Sequence, residues 1–252
     1  MKFTDLVPIP AKINVGVQQA GNRFMLASLG NPRSSYGSNC ASVTNPKLAE
    51  LMATRDVGPF RATGYRPALE SLAEVMADIA REHPELFKIL GTAGMLCARL
   101  VRGSKSAISN HSWGTAIDLT IGGQLDARGN GKVQHGLTLI APIFNAHSWY
   151  WGAAFGTEDG MHFEAGRALV SKWAGAKPVS GVLDMLDLGD RGPGVVELQR
   201  LLNERGETLS LDGIFGPGTR AALVAFQGKH GLDPDGVAGP AALAALRATK
   251  GA

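Results

Sequence analysis

The sequence predicts a mixed α+β domain followed by a smaller all-α module. Three observations carry this reading. Over roughly the first two thirds of the chain, one amphipathic helical stretch and several short strand-like runs are separated by turn residues. Around Gly175 to Gly194 the composition shifts to the linker chemistry of GAKPVSG and LGDRGPG. Beyond that point a segment repeats: LDGIFGPGTRAAL (211–223) and PDGVAGPAALAAL (234–246) share Asp-Gly, a hydrophobic residue, Gly-Pro and an Ala/Leu-rich run.

Residues 1–45, rich in Gly, Asn, Ser and Pro, read as an irregular arm. Arg66-Pro67 opens a helix, because a proline in the first turn lacks only an N–H that has no intrahelical partner there. Leu69, Leu72, Val75, Met76 and Ile79 follow at helical spacing, and Pro84 limits the C-terminal end. GTAGMLCARLVRG (91–103) reads as a strand. SNHSWGTAIDLTI (109–121) reads as loop then strand, with Ala116, Asp118 and Thr120 on one face and Ile117, Leu119 and Ile121 on the other. GNGKVQHG (129–136) is a turn region. Leu137 to Ala146 has a helical pattern weakened by Pro142. WYWGAAF (149–155) and MHFE (161–164) read as strands, and Arg167 to Trp173 as a short helix. In the module, VVELQRLLNERG (195–206) is amphipathic through Val196, Leu198, Leu201 and Leu202. Each repeat then supplies an Asp-Gly turn and a proline where a helix starts. The sum is a three-helix module of about seventy residues.

The chain of 252 residues is long enough for one large domain or two ordinary ones. With 44% hydrophobic and 19% charged residues it can bury a core, which excludes a disordered chain. A net charge of +3 suits an anionic polymer, and an ordinary soluble protein equally well. No Lys/Arg cluster interleaved with aromatics occurs, so nucleic acid is not an expected partner. No apolar run reaches the roughly 18–20 residues of a membrane span. Cys40 and Cys97 form no C-x-x-C pair. They read as two free, partly buried thiols in preference to a disulfide. The opening MKFTDLVPIPAKINVGV has no signal-peptide core. The expectation is synthesis in the cytoplasm and exit by another route.

Four residues suggest chemistry: His111, Asp118, Asp159 and His162. A hydrolytic zinc site needs three N/O ligands and one open position. His111 and Asp118 are seven apart, and Gly114 with the β-branched run that follows favours a loop histidine beside a strand aspartate over a helix face. His162 can add a third ligand from another strand, and Asp159, three residues earlier, can reach the open position. Imidazole and carboxylate suit zinc. His135 and His147 remain spare ligands, while His83 and His230 carry no such pattern.

SNHSWGTAIDL resembles the S-x-H-x-x-G-x-A-x-D signature of the VanY-like zinc D-alanyl-D-alanine carboxypeptidase and L-alanyl-D-glutamate peptidase family. WYWGAAFGTEDGMHFE resembles its closing segment, and the similarity spans roughly residues 60–170. The resemblance implies a small antiparallel sheet with flanking helices and one Zn(2+) per chain held by His111, Asp118 and His162. It implies Asp159 as catalytic base and Arg99 as the residue that polarises the scissile carbonyl, with Arg102 as fallback. Ser109, Trp113 and Trp149 are candidate substrate-binding residues; for Ser109 a loop-shaping role is favoured. Trp151 reads as core. Glu164 either orients a ligand or is exposed. Asp rather than Glu at 159 resembles the L-alanyl-D-glutamate endopeptidases.

LGDRGPGVVELQRLL…DGIFGPGTRAALVAFQ…DGVAGP is similar to the three-helix peptidoglycan-binding domain of wall hydrolases. The expected organisation is an arm (1–45) belonging to the catalytic unit, a zinc peptidase domain (46–177), a linker (178–190) and a peptidoglycan-binding domain (191–252). The expected protein is a monomer resembling a phage endolysin, released through a phage pore to act on bacterial peptidoglycan. The rivals are a D,D-carboxypeptidase and a non-catalytic wall-binding or phage structural protein.

Overall fold

The computed structural model describes residues 1–104, 107–175 and 186–248. The linker expected at 178–190 therefore lies outside the described residues as far as 185. In chain order the elements are β1 (Leu6–Pro8), α1 (Asn22–Leu29), α2 (Pro46–Ala49), β2 (Met52–Asp56), β3 (Arg61–Tyr65), α3 (Arg66–Glu82), α4 (Pro84–Phe87), β4 (Leu90–Gly94), β5 (Ala116–Ile121), β6 (Lys132–Gln134), α5 (His135–Ala146), β7 (Trp149–Trp151), β8 (His162–Ala165), α6 (Arg167–Trp173), α7 (Pro193–Glu204), α8 (Pro217–Lys229) and α9 (Pro240–Arg247). This is the α+β mix followed by helices that the sequence predicts.

The central sheet has the order β4-β5-β8-β7, antiparallel throughout. β5 and β8 occupy its middle, and their register places Asp118 opposite His162. The inward face of β5 buries Ile117, Leu119 and Ile121 completely, as the alternation requires. The same core takes in α3, whose Leu69, Leu72, Val75, Met76 and Ile79 are all fully buried. At about 25 cal/mol per Å² of apolar surface, each such side chain is worth roughly 1.5–3 kcal/mol, so this seam anchors the domain. α3 stops at Glu82 because Pro84 follows, and that proline starts α4. Pro142 is tolerated inside α5 because it lies on the exposed face, where water can satisfy the carbonyl it strands.

Several expectations need correction. Residues 1–45 are not wholly irregular: β1 pairs with β6, and α1 buries Met25 completely. The strand expected at 91–103 ends at Gly94, after which the chain continues through the isolated bridges Ala41–Ala98 and Leu100–Ile108. The strand expected at 149–155 ends at Trp151 and turns into a single 3-10 turn. The β2–β3 hairpin carried no recognised signal. Cys40 and Cys97 are not free thiols; they form a disulfide that ties the arm to the segment leading to Arg99. Next to the bridge, Ala41 and Ala98 exchange backbone hydrogen bonds of 3.1 and 3.2 Å, which hold the two segments together there.

The buried hydrophobics form two clusters, one drawn from residues 20 to 170 and the other from 186 to 246. Leu186 joins the second cluster by exchanging backbone hydrogen bonds with Ala238, so packing begins inside the stretch that the sequence assigns to the linker. In α7, Leu198, Leu201 and Leu202 are buried as expected, but Val195 rather than the partly buried Val196 completes the face. The sequence repeat is also a hydrogen-bond repeat. Gln199 Nε2 donates to Asp212 Oδ1 (2.8 Å) and Ile214 O (3.1 Å), and Gln199 Oε1 accepts from Gly213 N (3.1 Å). Gln227 makes the same three bonds to Asp235, Val237 and Gly236, each at 2.9 Å. A buried amide thus clamps each Asp-Gly turn, which is why the repeat contains Asp-Gly.

Candidate functional site

His111 sits in a 3-10 turn, Asn110–Trp113, that ends in Gly114 with φ 62°. This left-handed geometry favours glycine, and a Cβ there would stand 2.6 Å from the backbone nitrogen of Tyr65. The turn swings His111 beside the start of β5, which carries Asp118, while β8 carries His162. His111 Nε2 lies 3.2 Å from Asp118 Oδ1 and 3.2 Å from His162 Nδ1, and His162 Nδ1 lies 3.0 Å from the same Asp118 oxygen. Among the described residues, these three form the group that could hold a metal ion, with ligand atoms within 4.8 Å of one another.

The remaining ring nitrogens decide what the cluster needs. His111 Nδ1 faces Met95 O at 2.9 Å, and His162 Nε2 faces Glu164 Oε2 at 3.0 Å. Both partners are acceptors, so those nitrogens carry the protons. In the neutral tautomers, His111 Nε2 and His162 Nδ1 then present bare lone pairs to each other and to a carboxylate. Three converging acceptors repel unless a cation stands among them. A divalent metal with N/O preference fits this donor set. Without it a proton takes the place. Burial disfavours the His162 imidazolium, but the hydrogen bonds to Asp118 and Glu164 outweigh burial and push its pKa up to about 10. Asp118 shows the converse: burial raises its pKa, yet hydrogen bonds from His111 and His162 hold the carboxyl well below the usual range.

Asp159 lies in the turn before β8, where its N–H bonds Gly152 O at 3.0 Å and its carbonyl accepts from His162 N at 3.1 Å. Its Oδ2 faces Arg128 Nε at 3.5 Å, and its Oδ1 is buried without a hydrogen-bond partner. Burial raises its pKa, partly offset by His162. Asp159 also feels the charges of His162, Asp118 and His111, so its carboxylate lies within electrostatic reach of the three metal-ligand candidates. Arg99 is half-buried, with burial and then Arg102 lowering its pKa, and it feels the charges of Asp118 and Asp159. Its own Nη1 donates to Leu100 O at 3.1 Å. Arg102, the fallback, is exposed.

The aromatic candidates do not line a groove. Trp113 and Trp149 are fully buried, and their indole N–H groups donate to Gly30 O at 2.7 Å and Ser71 Oγ at 3.0 Å. They are core residues, as is Trp151. Ser109 is buried, and its N–H bonds Arg99 O at 3.0 Å, so its backbone helps set the course of the Arg99 segment. Glu164 is buried, not exposed, and bonds His162. His147 is taken up by Asp78 at 2.8 Å, and His135 stacks on Phe3. Sequence reasoning missed Arg128, which follows Asp126 in a loop with no recognisable motif.

Fold and site together define a candidate metallohydrolase centre on a small antiparallel sheet, joined to a compact helical module. Residues 102–165 match the family model described as D-alanyl-D-alanine carboxypeptidase, and residues 191–246 match the model of a putative peptidoglycan binding domain. The chain thus carries one segment similar to a peptidase family and another similar to a peptidoglycan-binding domain.

Among solved structures, a Burkholderia AP3 phage endolysin is 48% identical over 27% of this chain and 26% of its own, with a TM-score of 0.26. A peptidoglycan-binding protein from Clostridioides difficile, in complex with glutamine hydroxamate, is 36% identical over 25% and 40%, with a TM-score of 0.25. The SleB N-terminal domain is 41% identical over 26% and 90%, with a TM-score of 0.25. The chain spans about a quarter of the length of the endolysin. No curated protein matches it. Among the described residues, no helix is long and apolar enough to cross a membrane.

Proposed function

We propose that this chain is a zinc-dependent peptidase that hydrolyses an amide bond of the peptidoglycan stem peptide. The observation that carries the reading is the convergence of His111 Nε2, Asp118 Oδ1 and His162 Nδ1, three acceptors within 3.0–3.2 Å that call for a cation. His111, Asp118 and His162 would hold the zinc. Bound zinc supplies Lewis acidity and lowers the pKa of water toward neutrality. Asp159 takes the proton of the attacking water on its unpaired Oδ1 and returns it to the leaving amine. Arg99 stabilises the charge that develops on the carbonyl oxygen. Residues 1–177 are the catalytic unit, and the unit that holds the enzyme on the wall takes in Leu186, inside the 178–190 expected as linker, together with the expected 191–252.

Asp at position 159 favours cleavage between L-alanine and D-glutamate, in the manner of a phage endolysin. The description of the matched family model supports a second reading, D,D-carboxypeptidase activity. Digestion of purified peptidoglycan with mass spectrometry of the products separates them. New N-terminal D-glutamate is expected. Released D-alanine in its place would establish the carboxypeptidase, and an undigested wall would overturn both.

A further inference from the structure

Arg128 has no role in the chemistry above, yet it is fixed beside the proposed base. Its loop is clamped onto the turn bearing Asp159. Gly129 N donates to Glu158 O at 3.2 Å, and Gly131 N donates to Glu158 Oε1 at 2.7 Å. Asp126, buried at the root of the loop, accepts from Gln134 N at 2.8 Å. The Asp126 carboxylate also occupies the space that a Cβ on Gly160 would need, so loop and turn meet without a gap. The result sets Arg128 Nε 3.5 Å from Asp159 Oδ2, with about a third of the Arg128 side chain still exposed.

The place of the leaving group follows from the proton it must receive. A base that accepts the proton of water and hands it to the departing nitrogen must lie within hydrogen-bond reach of that nitrogen. In both stem-peptide cleavages considered, the departing residue carries a free α-carboxylate, one carbon from that nitrogen. D-Glutamate continues the chain through its side chain, and terminal D-alanine ends it. The carboxylate therefore lands within a few ångströms of Asp159, whose other oxygen, Oδ2, faces Arg128. A guanidinium has five N–H donors in a planar fork. It can face Asp159 through Nε while it presents other donors to a second carboxylate.

We infer that Arg128 is a specificity-determining residue that binds the free α-carboxylate of the residue released by cleavage. The inference rests on the stem-peptide reading above. It predicts that the enzyme distinguishes a leaving residue with a free carboxylate from the same residue as its carboxamide. A charge-assisted hydrogen bond of this kind corresponds to about 10- to 100-fold in kcat/KM.

The test uses the full zinc-loaded chain and two synthetic stem peptides, one with the carboxylate and one with the carboxamide. Wild type should favour the acid by about 10- to 100-fold, mostly through KM. Arg128→Gln should lose most of that preference, with a far larger loss on the acid than on the amide. Arg128→Lys, which keeps charge without the fork, should fall between. Zinc content and Tm of each variant confirm that it has folded. Equal losses on both peptides would reduce Arg128 to a support for Asp159 and overturn the inference. So would a wild type indifferent to the carboxylate, a result that needs no variant. If wild type cleaves neither peptide, the stem-peptide reading fails, and the role of Arg128 falls with it.

Discussion

Glu164 accepts a hydrogen bond from His162 Nε2 at 3.0 Å, with both side chains almost wholly buried. The two residues share one face of β8, two positions apart, so the strand itself builds the pair. The bond keeps the proton on Nε2 and leaves Nδ1 bare toward Asp118. Loss of such a support typically costs about 10–100-fold in metal affinity. Glu164→Ala should show that loss against a chromogenic chelator, while Glu164→Gln, which retains an acceptor oxygen, should lose less. His162→Ala should lose the stoichiometric zinc altogether. A Glu164→Ala protein that competes as well as wild type would show that the tautomer is set by something else.

The isolated Oδ1 of Asp159 leads to a second expectation. Asp159→Asn preserves size and leaves the three metal-ligand candidates untouched, but an amide cannot accept the proton. The variant should bind zinc normally and lose about 100-fold or more in kcat on a soluble stem peptide. Near-normal turnover would remove Asp159 as the base and direct attention to Glu158.

The Cys40–Cys97 bridge closes a loop across a sequence separation of 57 residues. Linking two points that far apart restricts the unfolded chain and is worth roughly 2–4 kcal/mol. Reduction, or Cys40→Ser, should lower Tm by about 2–4 °C for each kcal/mol lost. Thermal unfolding with and without reductant measures it. A Tm indifferent to reductant would show that the bridge contributes nothing in solution.

Asp190 is a buried carboxylate that couples stability to pH outside the candidate centre. Burial, then the charge of Asp187, pushes its pKa up to about 7. Its Oδ1 has no hydrogen-bond partner. The folded pKa is raised, so its stabilising contribution is complete below the unfolded value near 4 and is lost as pH rises through about 7. Asp190→Asn imitates the protonated form and keeps an oxygen for the Asp187 N–H, which donates to Asp190 Oδ2 at 2.9 Å. The variant should match wild type at pH 4 and exceed it in Tm at pH 8, by about 2–4 °C for each kcal/mol recovered. The opposite ordering at pH 8 would show that Asp190 is ionised and paired in the fold.

Local pattern carried much of this molecule. Helical spacing from Leu69 to Ile79 was legible because the period of 3.6 residues is written directly into the apolar positions. The repeat after residue 210 was legible because each Asp-Gly turn and Gly-Pro helix start is a short-range feature. His111, Asp118, Asp159 and His162 could be named because they sit in two compact motifs. The strand-like reading of 91–103 failed because a β-prone sequence forms a strand only where a partner edge is free. Beyond Gly94 the chain leaves β5 and meets the arm at Ala41 instead. Trp113 and Trp149 were misplaced because the reach of an indole N–H to Gly30 or Ser71 depends on which distant segment packs beside it.

Sequence by itself determined the main helices and strands from α3 onward, the helical module with its internal repeat, and the identity of the residues proposed to hold and use a metal. Those depend on neighbours within a few positions, where backbone geometry leaves few choices. Only the tertiary structure decided that Cys40 meets Cys97, that Glu164 is buried against His162, and that Arg128 stands over Asp159. The Cys40–Cys97 and Arg128–Asp159 pairs join residues tens of positions apart, and the Glu164 pair depends on what buries β8. Contacts of that kind are set by how the arm, the sheet and the loops pack around one core, information that no local spacing contains.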